Sequence, residues 1–146
     1  MYGGRNTMKK YMNCAIAYAV LALAGGVFFR EFTKMNGFDG ATALSAIHPH
    51  YLILGTFFFL ALTLFAGVFK SGEGLGKVLV GYHIGLNLAV VMMLVRGVFE
   101  VLGTALPSGA DAAIAGIAGL SHIVLGICLV WALVILKKSV VAREAA

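Results

Sequence analysis

Two histidines open the longest uncharged run of the chain, Ala46-Ile47-His48-Pro49-His50-Tyr51, which continues through Leu52 to Phe59. His83 lies in Gly81-Tyr82-His83-Ile84-Gly85-Leu86-Asn87, and His122 follows Gly119-Leu120-Ser121. Imidazole is a ligand for iron, zinc and copper and titrates near neutrality. An ionisable side chain inside an apolar segment is costly and is by default a functional position. Three separate apolar segments carry one here. The chemistry that fits is axial ligation of haem iron, which needs imidazoles on facing helices and room for a flat macrocycle beside the backbone. Gly55 lies seven residues after His48 on the same helical face, and Gly119 and Gly126 flank His122 in the same way. The plain alternative is that His48 and His50 form a polar helix start in the headgroup layer.

Other chemistry is excluded by what surrounds these residues. No Ser-His-Asp set lies at one depth, and no phosphate-binding glycine loop is present. The carboxylates Glu31, Asp39, Glu73, Glu100, Asp111 and Glu144 fall at segment ends or in loops. That pattern argues against a proton pump built on buried carboxylates. Cys14 and Cys128 sit inside apolar runs, where small core packing is expected rather than a disulfide framework.

The elements that must position the histidines follow from composition. Of 146 residues, 61% are hydrophobic and 12% charged, against about 45–50% and about 25% in soluble domains. Four uncharged runs, Tyr11–Phe29, Ala41–Phe69, Val78–Val95 and Ala112–Leu136, each approach the ~20 residues that span a hydrocarbon layer. They predict helices over about 11–30, 45–69, 78–101 and 112–136 in a single domain. Ser45 is the expected N-cap of the second, with Pro49 tolerated in its first turn. Residues 2–7 read as a lead-in without structure. The net charge of +5 does not point to nucleic acid, because the basic residues bracket the apolar runs. Arg5, Lys9, Lys10, Lys70, Lys77, Lys137, Lys138 and Arg143 belong to one side; only Arg30, Lys34 and Arg96 belong to the other. The basic excess marks the cytoplasmic side. The expected fold is thus an all-α integral membrane bundle, four helices up-down-up-down, with both termini cytoplasmic. The lipid bilayer is its first partner. Gly81-x-x-x-Gly85 is a small-residue packing motif that fits either tight packing within one bundle or a homo-oligomer contact.

Depth selects which histidines can meet. At ~1.5 Å per residue counted from the basic end, His48 lies about 33 Å up, His50 about 30 Å, His122 about 22 Å and His83 about 9 Å. His83 is therefore expected to be structural, hydrogen-bonded to Asn87 or to a neighbouring helix. The gap of roughly 8–10 Å between His122 and the His48–His50 pair must be closed by tilt or by a shifted helix end. His48 and His50 point roughly 160° apart, so only one can face a partner squarely. The glycine face favours His48, so His48 and His122 are the expected iron ligands and His50 the alternative. Arg30 and Arg96 lie at the histidine end. Arginine binds carboxylates in a forked geometry, so both are candidates for haem propionates. Their ordinary partners would be Glu31 and Glu100.

The chain resembles a family of short, uncharacterised bacterial four-helix membrane proteins. The resemblance is carried by Phe29-Arg30-Glu31-Phe32, His48-Pro49-His50-Tyr51 with Gly55, Tyr82-His83-Ile84-Gly85-Leu86-Asn87, Val95-Arg96-Gly97 and Gly119-Leu120-Ser121-His122. More distantly, histidines on the second and fourth helices resemble the haem-binding halves of haem A synthase. The His48 to Gly55 spacing is similar to the second helix of haem–copper oxidases and nitric oxide reductases. That resemblance implies His48 as ligand to a low-spin haem. The synthase's Glu-x-x-His-Arg pattern is absent, with Ser45 and Pro49 in those places, so haem modification is not implied. The expected function is b-type haem binding with electron transfer to a redox partner in a bacterial inner membrane. A haem-based gas or redox sensor, and a small transporter or scaffold with structural or metal-binding histidines, are the alternatives.

Overall fold

The computed structural model describes residues 3–69 and 74–144. Four helices, each long and apolar enough to cross a membrane, account for most of them: α1 (Gly3–Met35), α2 (Ala43–Phe69), α3 (Leu75–Val101) and α4 (Ser108–Glu144). No strand occurs among the described residues. The order is up-down-up-down. Expected Lys70, and with it residues 70–73 of the basic-end hairpin, lies outside the described residues. Tyr2 does too.

Two of the helices, α1 and α4, run well past their expected ends. The expected bounds followed the apolar runs, but Lys, Arg, Glu and Ala are themselves good helix formers. The helix of α1 accordingly includes Lys9 and Lys10, and α4 continues through Lys137 and Lys138 to Glu144; α1 also takes in Gly3 to Thr7, which propensity does not explain. What stops α1 and α3 is glycine. Gly37 has φ +59°, Phe38 N–H donates to Thr33 O and Gly37 N–H to Lys34 O. Gly103 repeats the arrangement at φ +63°, with Thr104 N–H on Phe99 O and Gly103 N–H on Glu100 O. Both are Schellman caps, which return the last free carbonyls to the chain.

The start of α2 is tied to α3. Thr42, not Ser45, is the N-cap: it has the extended backbone a cap requires (φ −143°, ψ 147°), and its hydroxyl accepts from Leu44 N–H. Ser45 instead donates its hydroxyl to Thr42 O. The Thr42 hydroxyl reaches Gly97 O, and Ala43 N–H donates to Glu100 Oε2 at 2.7 Å. Glu100 is thereby spent on the α2 N-terminus, where a carboxylate complements the helix dipole.

Within α2 the helix is not uniform. Ala43–Ala46 is 3₁₀, Ile47–Pro49 is α, His50–Phe57 is π and Phe58–Phe69 is α again. The wide turns begin directly after Pro49, which has no N–H to give. Tyr82 on α3 donates its hydroxyl to Leu54 O, satisfying a carbonyl of the π segment. Short π segments in α-helices are frequent at functional sites.

Packing pairs α1 with α2 and α3 with α4, while α2 meets α4 only sparsely. Tyr18, Tyr51, Phe59, Tyr82 and Leu86 fill the centre. The outward faces of α1 and α4 carry Val20, Leu23, Val27, Ile123, Ile127, Val130 and Trp131, all exposed. Such a surface suits hydrocarbon, not water.

Candidate functional site

His50 of the π segment and His122 of α4 lie side by side. Their ring centroids are 5.9 Å apart and their planes stand at 89°. Each ring holds its Nδ1 against a carbonyl four residues back: His50 on Ala46 O at 2.8 Å, His122 on Ala118 O at 2.7 Å. A carbonyl only accepts, so both Nδ1 atoms carry the proton and both Nε2 atoms present a lone pair. This is the usual arrangement of metal-ligating histidine, in which the far nitrogen donates to a carbonyl and thereby fixes tautomer and ring orientation. His122 is exposed, and Gly119 and Gly126 beside it have nothing within 4 Å of where a Cβ would stand. There is open space at both glycine positions, one turn to either side of His122 along α4.

The expected pairing of His48 with His122 is not the contact that forms. His48 turns the other way, onto α1, and donates Nδ1–H to Ala22 O at 2.8 Å. Its ring rests on Gly26, where a Cβ would come 3.2 Å from Nδ1, and Ile47 fills the space over Gly25. Gly55 is not an open notch for a macrocycle either. It shares the α1-facing side of α2, and the Tyr18 ring occupies it so closely that a Cβ would stand 2.5 Å from Tyr18 Cγ. The Gly25-Gly26 pair is the sequence signal for a close α1–α2 contact beneath Ile47 and His48.

The height gap closes because α4 is longer than its apolar run. Arg143, not Lys137, is level with the end of α2, because its guanidinium donates to Val68 O. Counted from there, His122 lies twenty-one residues up and His50 eighteen residues above Val68. The longer α4 thus brings His122 to the height of His50, and at that height the α2 backbone is in wide π turns rather than α turns.

Of the two arginines, Arg96 is engaged by Asp111 at 2.5 Å, not by Glu100. Arg30 makes a loose 3.7 Å contact with Glu31 and is largely exposed. Cys14 and Cys128 are free thiols, and Cys128 Sγ fills the space over Gly81. Among the described residues no three His, Cys, Asp or Glu side chains converge.

His83 belongs to a second cluster. Tyr51 OH donates to Asn87 Oδ1 at 3.0 Å, and Asn87 Nδ2 donates to Tyr18 OH at 3.0 Å and to His83 O at 2.8 Å. Tyr18 OH lies 2.6 Å from His83 Nδ1. Among the described residues His83 Nδ1 is the one acceptor in reach of the Tyr18 hydroxyl proton, so this half-buried hydroxyl donates to it while accepting from Asn87. The ring proton of His83 is then on Nε2, the reverse of the other three histidines. The rings of Tyr18 and Phe59 lie parallel to it, with centroids at 5.6 and 4.8 Å. The i, i+4 spacing of His83 and Asn87 marks the face on α3. Tyr18 and Tyr51, the partners from α1 and α2, carry no mark in the sequence beyond being aromatic.

Residues 8–139 match the model of a family described as Protein of unknown function (DUF2871). The chain belongs to this family. No curated protein and no solved structure matches it. The likeness to uncharacterised proteins thus covers most of the chain, and none of these comparisons extends to haem proteins.

Proposed function

We propose that this protein binds one b-type haem between α2 and α4, with His50 and His122 as axial ligands, and carries single electrons within the membrane. The observation behind the proposal is the perpendicular imidazole pair with both Nε2 lone pairs unspent. An iron between two imidazole nitrogens, each ~2 Å away, puts the ring centroids roughly 6 Å apart; the pair stands at 5.9 Å. Two imidazoles fall short of the three or four protein ligands of a zinc site. They match an iron whose other four ligands come from a porphyrin. The open flanks at Gly119 and Gly126 are where a macrocycle lying along α4 finds room. Arg30 is the arginine with room for a propionate, since Arg96 is taken by Asp111. When bound, such a haem supplies a one-electron couple. The chain's part is to hold the two ring planes.

Haem titration into purified, detergent-solubilised protein tests this. The expected result is a Soret band that saturates at one haem per chain, with split α and β bands on reduction. A scaffold whose histidines serve only packing gives no saturable band. His48→Ala and His83→Ala are expected to leave that spectrum unchanged, because one ring serves the α1 contact and the other the tyrosine cluster. Bleaching in either variant contradicts the assignment.

In this reading the basic helix ends lie in the cytoplasm of a bacterial cell and the His50–His122 pair lies near the outer leaflet. A reporter fused after Ala146 is expected to read cytoplasmic and one inserted between Phe38 and Ala43 external. The reverse pattern overturns the orientation.

A further inference from the structure

Toward the basic end, a cavity of about 340 Å³ opens between α1 and α3, within the ~300–1,000 Å³ range of small-ligand sites. Tyr11, Phe59, Leu79 and Val80 form apolar walls, and the polar groups on it include Lys10, Cys14 and His83. The His50–His122 pair does not use it. Phe59 and His83 lie parallel, 11° apart in plane and 4.8 Å between centroids, so two of the lining rings share one orientation. Tyr18 fixes the His83 proton on Nε2, the nitrogen that Tyr18 does not bind. Lys10, two turns before Tyr18 on α1, adds a charged donor among the lining residues.

We propose that this cavity binds the ring of a membrane-soluble quinone. The wanted ligand is flat, matching the His83 ring that the buried Phe59 holds in plane. It is neutral, because most of the wall is apolar. It carries acceptors rather than donors, because the fixed His83 tautomer and the ammonium of Lys10 both donate. A para-quinone carries a carbonyl acceptor at each end of a flat ring, and its isoprenoid tail can leave toward lipid past the exposed Val80. This inference builds on the electron-transfer reading, since a quinone is the class of membrane partner that such a protein would exchange electrons with. The binding itself is independent of haem.

The test uses full-length protein purified without haem and titrated calorimetrically with a decyl-tailed benzoquinone. Saturable binding of one quinone per chain is expected. His83→Phe keeps the ring stack but removes the N–H, and is expected to weaken binding by at least about tenfold, the scale of one lost buried hydrogen bond. Gly76→Leu provides a second check. Gly76 lines the cavity, and its Cβ position has nothing within 4 Å, so the new side chain occludes the space without disturbing packing and is expected to abolish binding. Both variants are expected to take up haem as the wild type does. Absence of saturable binding to the wild type, or unchanged affinity in both variants, overturns the proposal while leaving the haem titration to stand or fall on its own. Loss of binding in Lys10→Gln but not His83→Phe, with displacement by phosphatidylglycerol, would show an anionic headgroup site instead and also overturn it.

Discussion

Replacing His122 by alanine is expected to abolish the six-coordinate low-spin spectrum of the haem-loaded protein and to lower its haem affinity at least about a hundredfold. The estimate follows from scale: changes to groups that merely orient a metal ligand typically cost roughly 10–100-fold, and this substitution removes the ligand itself. His50→Ala is expected to do the same from the other side of the iron. The two histidines should behave unequally in one respect. His122 is exposed and bonded only to its own helix, so its loss should leave the fold intact. His50 is half-buried and begins the π segment, so a modest fall in melting temperature should accompany loss of haem. Added imidazole should restore a low-spin spectrum to His122→Ala, because the space vacated opens outward. If His48→Ala bleaches the protein while His50→Ala does not, the two ligands have been interchanged.

A large loss of stability is expected on filling Gly85. A Cβ there would stand 2.8 Å from Leu125 N and 3.0 Å from Leu125 Cα, so it meets backbone rather than a yielding side-chain tip. The α3–α4 contact is extensive, and Gly85 lies buried within it. Overpacking a well-filled interior typically costs about 1–3 kcal/mol. Gly85→Leu should reach the top of that range, because the two helices must separate. Gly116→Ala makes the contrast. Nothing lies within 4 Å of its Cβ position, and replacing a mid-helix glycine by alanine should stabilise by roughly 0.5–1 kcal/mol. Melting temperatures of the two purified variants should move in opposite directions from the wild type. Indistinguishable melting of Gly85→Leu and wild type would contradict this helix packing.

Four membrane-length helices were legible because the signal is collective: long uncharged runs bounded by basic residues leave little else for the chain to do. The histidines as a chemical set were legible for the same reason, since each interrupts an apolar run. Which of His48 and His50 turns toward α4 was not. A residue count distinguishes two opposite faces but does not say which neighbour lies on each, and Gly55 offered a notch that belongs to Tyr18. Residue counting does not give the heights, because Lys137 ends the apolar run of the fourth span while α4 itself runs on until Arg143 meets Val68. The π turns of His50–Phe57 left no sequence mark beyond Pro49. The Tyr18–His83–Asn87–Tyr51 cluster joins residues from three helices, and only its within-helix half, His83 and Asn87, could be read from spacing.

The central claim is that one iron is held between His50 and His122 with their ring planes crossed. Low-temperature electron paramagnetic resonance of the ferric, haem-loaded protein reads that arrangement directly. Crossed axial imidazole planes predict a low-spin signal of the strongly anisotropic type. A high-spin signal, a low-spin signal typical of parallel imidazole planes, or no haem-derived signal after loading would contradict it.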